Sequence, residues 1–167
     1  MNARLLKSCG LALALSIVTL LLVQACGGSN DANAQAAGGA DPVEGVWEST
    51  ITIRDCASGA VIRTFKGVNT FHRGGTLSDT NNAAPTTRGP GTGIWRAAGT
   101  AGNYTASFRF YRYNPDGTLA GTQRVNRSFT LSADGNSTTG TIAAQVLDTA
   151  DNVLQNVCGT ESSVRLY

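Results

Sequence analysis

Charge, histidine and cysteine are all scarce in this chain: only 14% of its 167 residues are charged, one is histidine and four are cysteine. The single histidine, His72, sits in the short segment "FHRGG" beside Arg73. Nucleophilic catalysis needs a serine or cysteine next to a base and an orienting acid. Ser78 and Asp79 are close in sequence, but nothing in the pattern makes them converge, so His72 is expected in a solvated turn and no residue is assigned as catalytic. Isolated cysteines and one histidine also lack the spacing of a metal site, so neither metal nor cofactor is expected. Of the 13 Lys and Arg, Arg4 and Lys7 lie in the first ten residues, which leaves as many basic residues in the remainder as the 11 acidic ones. A formally neutral chain does not gather nucleic acid or anionic lipid by its overall field. Aromatics interleave with arginine in "SFRFYRYN", Ser107 to Asn114, as on a nucleic-acid platform, but with that balance the stretch reads as an ordinary strand. The glycine-rich "NNAAPTTRGPGTG", Asn81 to Gly93, has no Lys followed by Ser or Thr and is not a phosphate-binding P-loop.

The one long apolar run, "LALALSIVTLLLV" from Leu11 to Val23, follows a short basic head and ends at a small residue. This is the pattern of a secretory signal over residues 1–25, too short and too early for a spanning helix. Its end, "LVQAC", resembles the bacterial lipobox, which implies a lipidated Cys26 at the mature N-terminus. Ordinary cleavage after Ala25 would instead leave Cys26 a free thiol, a liability in an oxidising compartment. The resemblance implies an exported protein held at a membrane through lipid on Cys26, and the lack of Asp after Cys26 points to the outer membrane. Residues 27–41, "GGSNDANAQAAGGAD", carry no aromatic or branched apolar residue and cannot bury enough surface to offset ordering. Residues 26–41 are therefore expected to form a lipidated end and flexible tether, and 42–167 a single domain.

That domain has turn signals at short regular intervals and few helix-forming runs, which points to an all-β sandwich or barrel. Eight strands are expected: 46–55, 61–71, 76–80, 93–97, 104–114, 118–132, 137–148 and 153–166. Connections such as "ASG", "PDG" and "ADGN" supply residues for hairpin turns. The second half reads as a meander. Closing such a sheet pairs its first and last strands and removes both edges.

Two pairings place those strands together. Cys56 and Cys158 are the only cysteines of the domain and, in an exported protein, are expected to form one disulfide. Trp47 near the start and Arg165 near the end form the second pair. An antiparallel ladder keeps the sum of paired residue numbers constant; the two pairs give 214 and 212. A diagonal contact or a bulge near Gly159 would absorb the offset. Parity puts Trp47 and Arg165 on one face and the cysteines on the other.

Gly45 and Trp47 opening the first strand, with Arg165 placed to pack across the indole, resemble the lipocalin and wider calycin signature. The resemblance implies a closed, antiparallel, up-and-down eight-stranded barrel in which Gly45, Trp47 and Arg165 close one end. The C-terminal helix usual in true lipocalins is not expected here, since the last strand runs almost to Tyr167, and their second loop motif is not found. A second Gly-x-Trp, Gly93 to Trp95, suggests an internal echo, and barrels resembling allene oxide cyclase or dirigent proteins are architectural alternatives.

Such a barrel either fills itself with side chains or holds one small ligand. If Arg165 faces inward, Ser163 and Glu161 do as well, and a buried Glu161 needs a partner. Arg109, Arg112 and Arg127 are candidates, because the inward faces of 104–114 and 118–132 stay open. Arg88, in the long loop, is the obvious charge at a ligand entrance. Glu161, Arg109 and Arg88 are thus the candidate ligand-binding residues. Three functions follow: a barrel binding a small hydrophobic or amphipathic ligand, an envelope module or inhibitor acting on another protein through its rim loops, and a cyclase-like enzyme. The first is the leading expectation, and on it the chain is not an enzyme.

Overall fold

The computed structural model describes residues 39–167. The segments expected to form a signal sequence, a lipidated Cys26 and nearly all of a tether lie outside the described residues.

Eight strands run in order: β1 (Gly45–Arg54), β2 (Val61–Phe71), β3 (Thr76–Asn81), β4 (Gly91–Ala97), β5 (Asn103–Tyr113), β6 (Leu119–Leu131), β7 (Ser137–Leu147) and β8 (Val153–Arg165). Each pairs antiparallel with its sequence neighbour, and β1 pairs with β8 to close the barrel. Sequence and structure differ here by at most a few residues at strand ends. The largest difference is at β4, because the stretch before Gly93 is already extended.

The seam between β1 and β8 runs unbroken from Trp47 opposite Arg165 to Arg54 opposite Cys158. Cys56 lies two residues past Arg54 in the turn, and reaches Cys158 diagonally with Cα atoms 5.2 Å apart. The diagonal contact therefore absorbs the offset, and no bulge at Gly159 is needed: Gly159 pairs in register with Ile53.

Up-and-down connectivity sorts the turns between two ends. Turns 72–75, 98–102 and 132–136 share one end with both termini of the barrel; turns 55–60 and 114–118, loop 82–90 and turn 148–152 share the other. The first end is plugged. Trp47 is completely buried and donates its indole N–H to the Val43 carbonyl at 2.9 Å. The Arg165 guanidinium lies 4.2 Å from the centre of that ring and donates to the carbonyls of Gly135 at 2.9 Å, Glu44 at 2.7 Å and Pro42. A cation on an aromatic face that also satisfies carbonyls is well suited to a dry site. Val43, Phe71, Leu77, Trp95, Tyr104 and Phe129 pack beneath it as one apolar cluster. The Tyr104 hydroxyl donates to Asp41 at 2.7 Å, and burial pushes its pKa up.

The two Gly-x-Trp sequences need glycine for different reasons. Gly45 has φ +134°, and a Cβ there would meet Arg165 Nη1 and the Tyr167 carbonyl at 2.7 Å. Gly93 has ordinary backbone, but a Cβ would come within 2.1 Å of the Ser107 carbonyl, so β4 and β5 can approach only without a side chain. Both indoles nevertheless reach the same cluster, and Trp95 donates to the His72 carbonyl at 2.9 Å as Trp47 does to Val43.

The disulfide closes a loop with a sequence separation of 102. In the chain-entropy account a loop of that length restricts the unfolded state by about 3–5 kcal/mol. The double variant Cys56→Ala/Cys158→Ala is expected to lose stability of that order in a denaturant titration while keeping its far-ultraviolet β-sheet spectrum below the transition. Unchanged stability would show that the hydrogen-bonded seam alone holds the barrel shut.

Candidate functional site

Strand alternation decides what the lumen contains. On β5 the inward residues are Tyr104, Ala106, Phe108 and Phe110; on β6 they are Val125, Arg127 and Phe129. This settles the open question of their facing and corrects one expectation. Arg109 projects from the exposed outer wall, its guanidinium 5.8 Å from the Tyr111 ring, because the even-numbered residues of β5 face in. Of the candidate partners for Glu161, the structure selects Arg127.

The Arg127 pair is buried and bidentate: Nε donates to Glu161 Oε1 at 2.8 Å, and Nη2 lies 2.5 Å from Oε2. Nη1 donates to Asn69 Oδ1 at 2.7 Å, and Asn69 donates in turn to Ser49 Oγ at 2.8 Å. Ser49 and Ser163 share a hydrogen bond at 2.7 Å across the seam. Each residue of this chain is buried, and its polar groups are answered by side chains except Glu161 Oε2, which faces the Arg127 guanidinium in a charge contact without a hydrogen bond. The guanidinium also lies 5.4 Å from the Phe129 ring centre and 5.8 Å from that of Phe71. The network therefore rests on the apolar plug. Burial raises the pKa of Glu161, and the charge of Arg127 opposes the shift.

A second ion pair stands beside the first. Arg88, the charge expected at a ligand entrance, turns its side chain into the lumen, where it meets Asp79 of β3 and lies 3.9 Å from the centre of the Phe110 ring. Both side chains are more than nine-tenths buried, at 8% and 9% exposure. The loop that carries Arg88 is tied down: Gly89 donates to the Tyr111 carbonyl at 2.9 Å, Tyr113 donates to that of Thr87 at 3.0 Å, and Arg88 bridges Arg112. Residues 87–89 thus prolong the line of β4 along β5. Asp79 was not among the sequence candidates. A signal for it exists, since pairing Phe71 with Leu77 across the β2–β3 hairpin carries Asn69 and Asp79 onto the same inner face.

Around this polar layer stand apolar walls that include Ile51, Ile53, Phe65, Phe108, Phe110 and Ile142, enclosing a cavity that reaches toward the end with loop 82–90. The space not filled by atoms is about 500 Å³, counting the part open to solvent; the space open to the centre of a water-sized sphere is about 50 Å³. The second figure describes what fits, and it corresponds to a small occupant. The lumen is therefore largely but not wholly filled, with an apolar wall over a floor of paired charges.

His72 does meet Ser78, with Nε2 and Oγ 3.0 Å apart, but the contact is exposed at the plugged end. The neighbouring Asp79 points the other way, into the lumen, so these three residues do not form a nucleophilic site. Among the described residues no cluster of His, Cys, Asp and Glu could hold a metal ion.

Two consequences are measurable. Burial pushes the Asp79 pKa from 3.8 up to about 6, against the charges of Arg88 and Arg127 and with that of Glu161. A carboxyl that binds its proton more tightly folded than unfolded stabilises the fold at low pH, and that stabilisation is lost as pH rises through the folded value. Unfolding free energy is therefore expected to fall between about pH 4 and pH 6, by on the order of 1–3 kcal/mol, with a shallower slope in Asp79→Asn. Asp55, Asp116, Asp134 and Asp148 have lowered pKa values through turn hydrogen bonds and act in the opposite sense, below the model-peptide range. Separately, Glu161→Gln leaves the Arg127 charge buried without its counter-ion, and urea titration is expected to show a loss of about 3–5 kcal/mol.

No family model matches the chain and no curated protein matches its sequence, so the function is argued from the site alone.

Proposed function

We propose that this chain is a calycin-like binding protein whose barrel holds one small hydrophobic or amphipathic molecule, exported by its N-terminal signal and anchored, through lipid on Cys26, to the outer membrane. The observation that carries this reading is the incompletely filled lumen, apolar along its walls and charged at its floor. Ligand sites combine these features, apolar surface for affinity and a few placed polar groups for orientation. The closed end built on Gly45, Trp47 and Arg165 supports the calycin likeness, which is an analogy of fold and does not by itself assign a ligand. Within the same proposal the chain is not an enzyme, and Glu161 serves as the counter-ion of Arg127.

A second reading is favoured by one observation. Val61 and Ile62 open β2 at 58% and 60% exposure, and Val153 and Leu154 open β8 at 49% and 63%, all beside turns at the cavity end. Exposed apolar side chains gathered at a rim are a feature of protein contact surfaces, as expected for an envelope module or inhibitor.

Native mass spectrometry of the protein purified from its own membranes separates the two. A retained small molecule, lost on unfolding, is expected for the lumen site. An empty barrel that co-purifies with a second polypeptide would favour the rim.

A further inference from the structure

The residues that line the cavity fall into three chemical sets. Four are ions, and they answer one another: Arg127 pairs with Glu161 and Arg88 with Asp79, each side chain more than nine-tenths buried. The lining therefore carries no net charge. An ion entering the lumen would lose its water and find no free counter-ion in return, which makes a charged occupant costly. Most of the remaining wall is apolar, with Phe65, Phe108, Phe110 and Ile142 its largest members beside Ile51 and Ile53.

The third set consists of the amides Asn69, Asn81 and Gln123. Asn69 is engaged within the polar network, donating to Ser49 and accepting from Arg127. Asn81 Oδ1 accepts from the Ala83 N–H at 3.0 Å. Gln123 is different. It shares the inward parity of Val125 and Arg127 on β6 and stands directly opposite Phe110 on β5. Neither end of its amide has a hydrogen-bond partner among the described residues, and it is only partly buried, so both ends remain open to an incoming group. The polar function left free on this wall is thus neutral, and it adjoins the aromatic part of the lining.

We propose that the lumen takes an uncharged, short amphipathic molecule, such as an alcohol or a ketone, with its apolar part against Phe108 and Phe110 and its oxygen accepting a hydrogen bond from the Gln123 amide. This rests on the lumen-binding reading above and adds the charge, the polar anchor and the size of the ligand. A neutral hydrogen bond contributes modestly, so the amide orients the molecule while the apolar wall holds it. Size follows from the cavity. One water needs roughly 10–15 Å³, so the 50 Å³ open to sphere centres accommodates about three to five groups of that size and excludes a long acyl chain.

The test titrates 1-butanol, 1-chlorobutane, butyrate, butylammonium and 1-decanol into the full chain while the nuclear magnetic resonance signals of Val125, Ile142 and Ala144 are followed. 1-Butanol is expected to shift these lumen signals and to bind at least tenfold tighter than either ion of the same length. Gln123→Leu removes the amide with little change in size. It is expected to weaken 1-butanol by about three- to tenfold and to leave 1-chlorobutane, whose chlorine is a poor acceptor, unchanged; the second compound thereby checks that the variant keeps its lumen. Butyrate or butylammonium binding as tightly as 1-butanol overturns the uncharged ligand. Unchanged 1-butanol affinity in Gln123→Leu overturns the amide anchor, and 1-decanol shifting the same signals at lower concentration than 1-butanol overturns the size. Each of these results leaves the lumen-binding reading standing, whereas failure of every compound to shift any lumen signal overturns that reading itself.

Discussion

Everything described depends on the pairing of β1 with β8. An open meander would leave two strands with unsatisfied backbone groups and would have no inside. Closure turns one face of every strand into a shared interior. The seam is held three ways along its length: by the stack of Arg165 on Trp47 at the plugged end, by the shared Ser49–Ser163 hydrogen bond in the middle, and by the Cys56–Cys158 bridge where the ladder runs out. These are different kinds of interaction on one register, and a slip of one residue would place every inward side chain of β1 or β8 on the outside.

Closure also explains why charges can be carried inside. Placing Arg127 and Glu161 in an apolar interior is expensive unless each finds a partner with good geometry. A barrel supplies such partners from strands far apart in sequence: Glu161 comes from β8, Arg127 from β6, Asn69 from β2 and Ser49 from β1. Aromatic rings at the plugged end shield this network on one side. On the other side, toward loop 82–90, stands the second ion pair, Asp79 with Arg88. Both ion pairs border the cavity.

The architecture was largely legible because a meander uses local signals. Turn residues between alternating segments mark hairpins, and neighbouring strands in sequence are neighbours in space. The closing register was legible for a different reason: the domain has one pair of cysteines and one tryptophan–arginine pair near its ends, and both imply nearly the same sum of residue numbers. Glu161 was legible as an inward carboxylate by counting twos back from Arg165. Arg109 was misplaced because "RFYRY" alternates arginine with aromatics on both faces, so parity alone cannot say which face is wet; the pairing of Phe108 with Val125 and of Phe110 with Gln123 decides it. Asp79 was weighed only as a neighbour of the histidine, because its importance comes from a loop arginine nine residues away.

By itself, the amino-acid sequence determined the strand count, the order, the closing pair and the disulfide, since these follow from local alternation, turn chemistry and the scarcity of cysteine. Only the tertiary structure decided which arginine meets Glu161, that Arg88 enters the barrel rather than guarding its rim, and that Asp79 is its partner there. The reason is physical: a period of two tells which residues share a face, but contact across a lumen depends on strand twist, side-chain length and the competition among several charges for few partners, and none of these is local to any stretch of the chain.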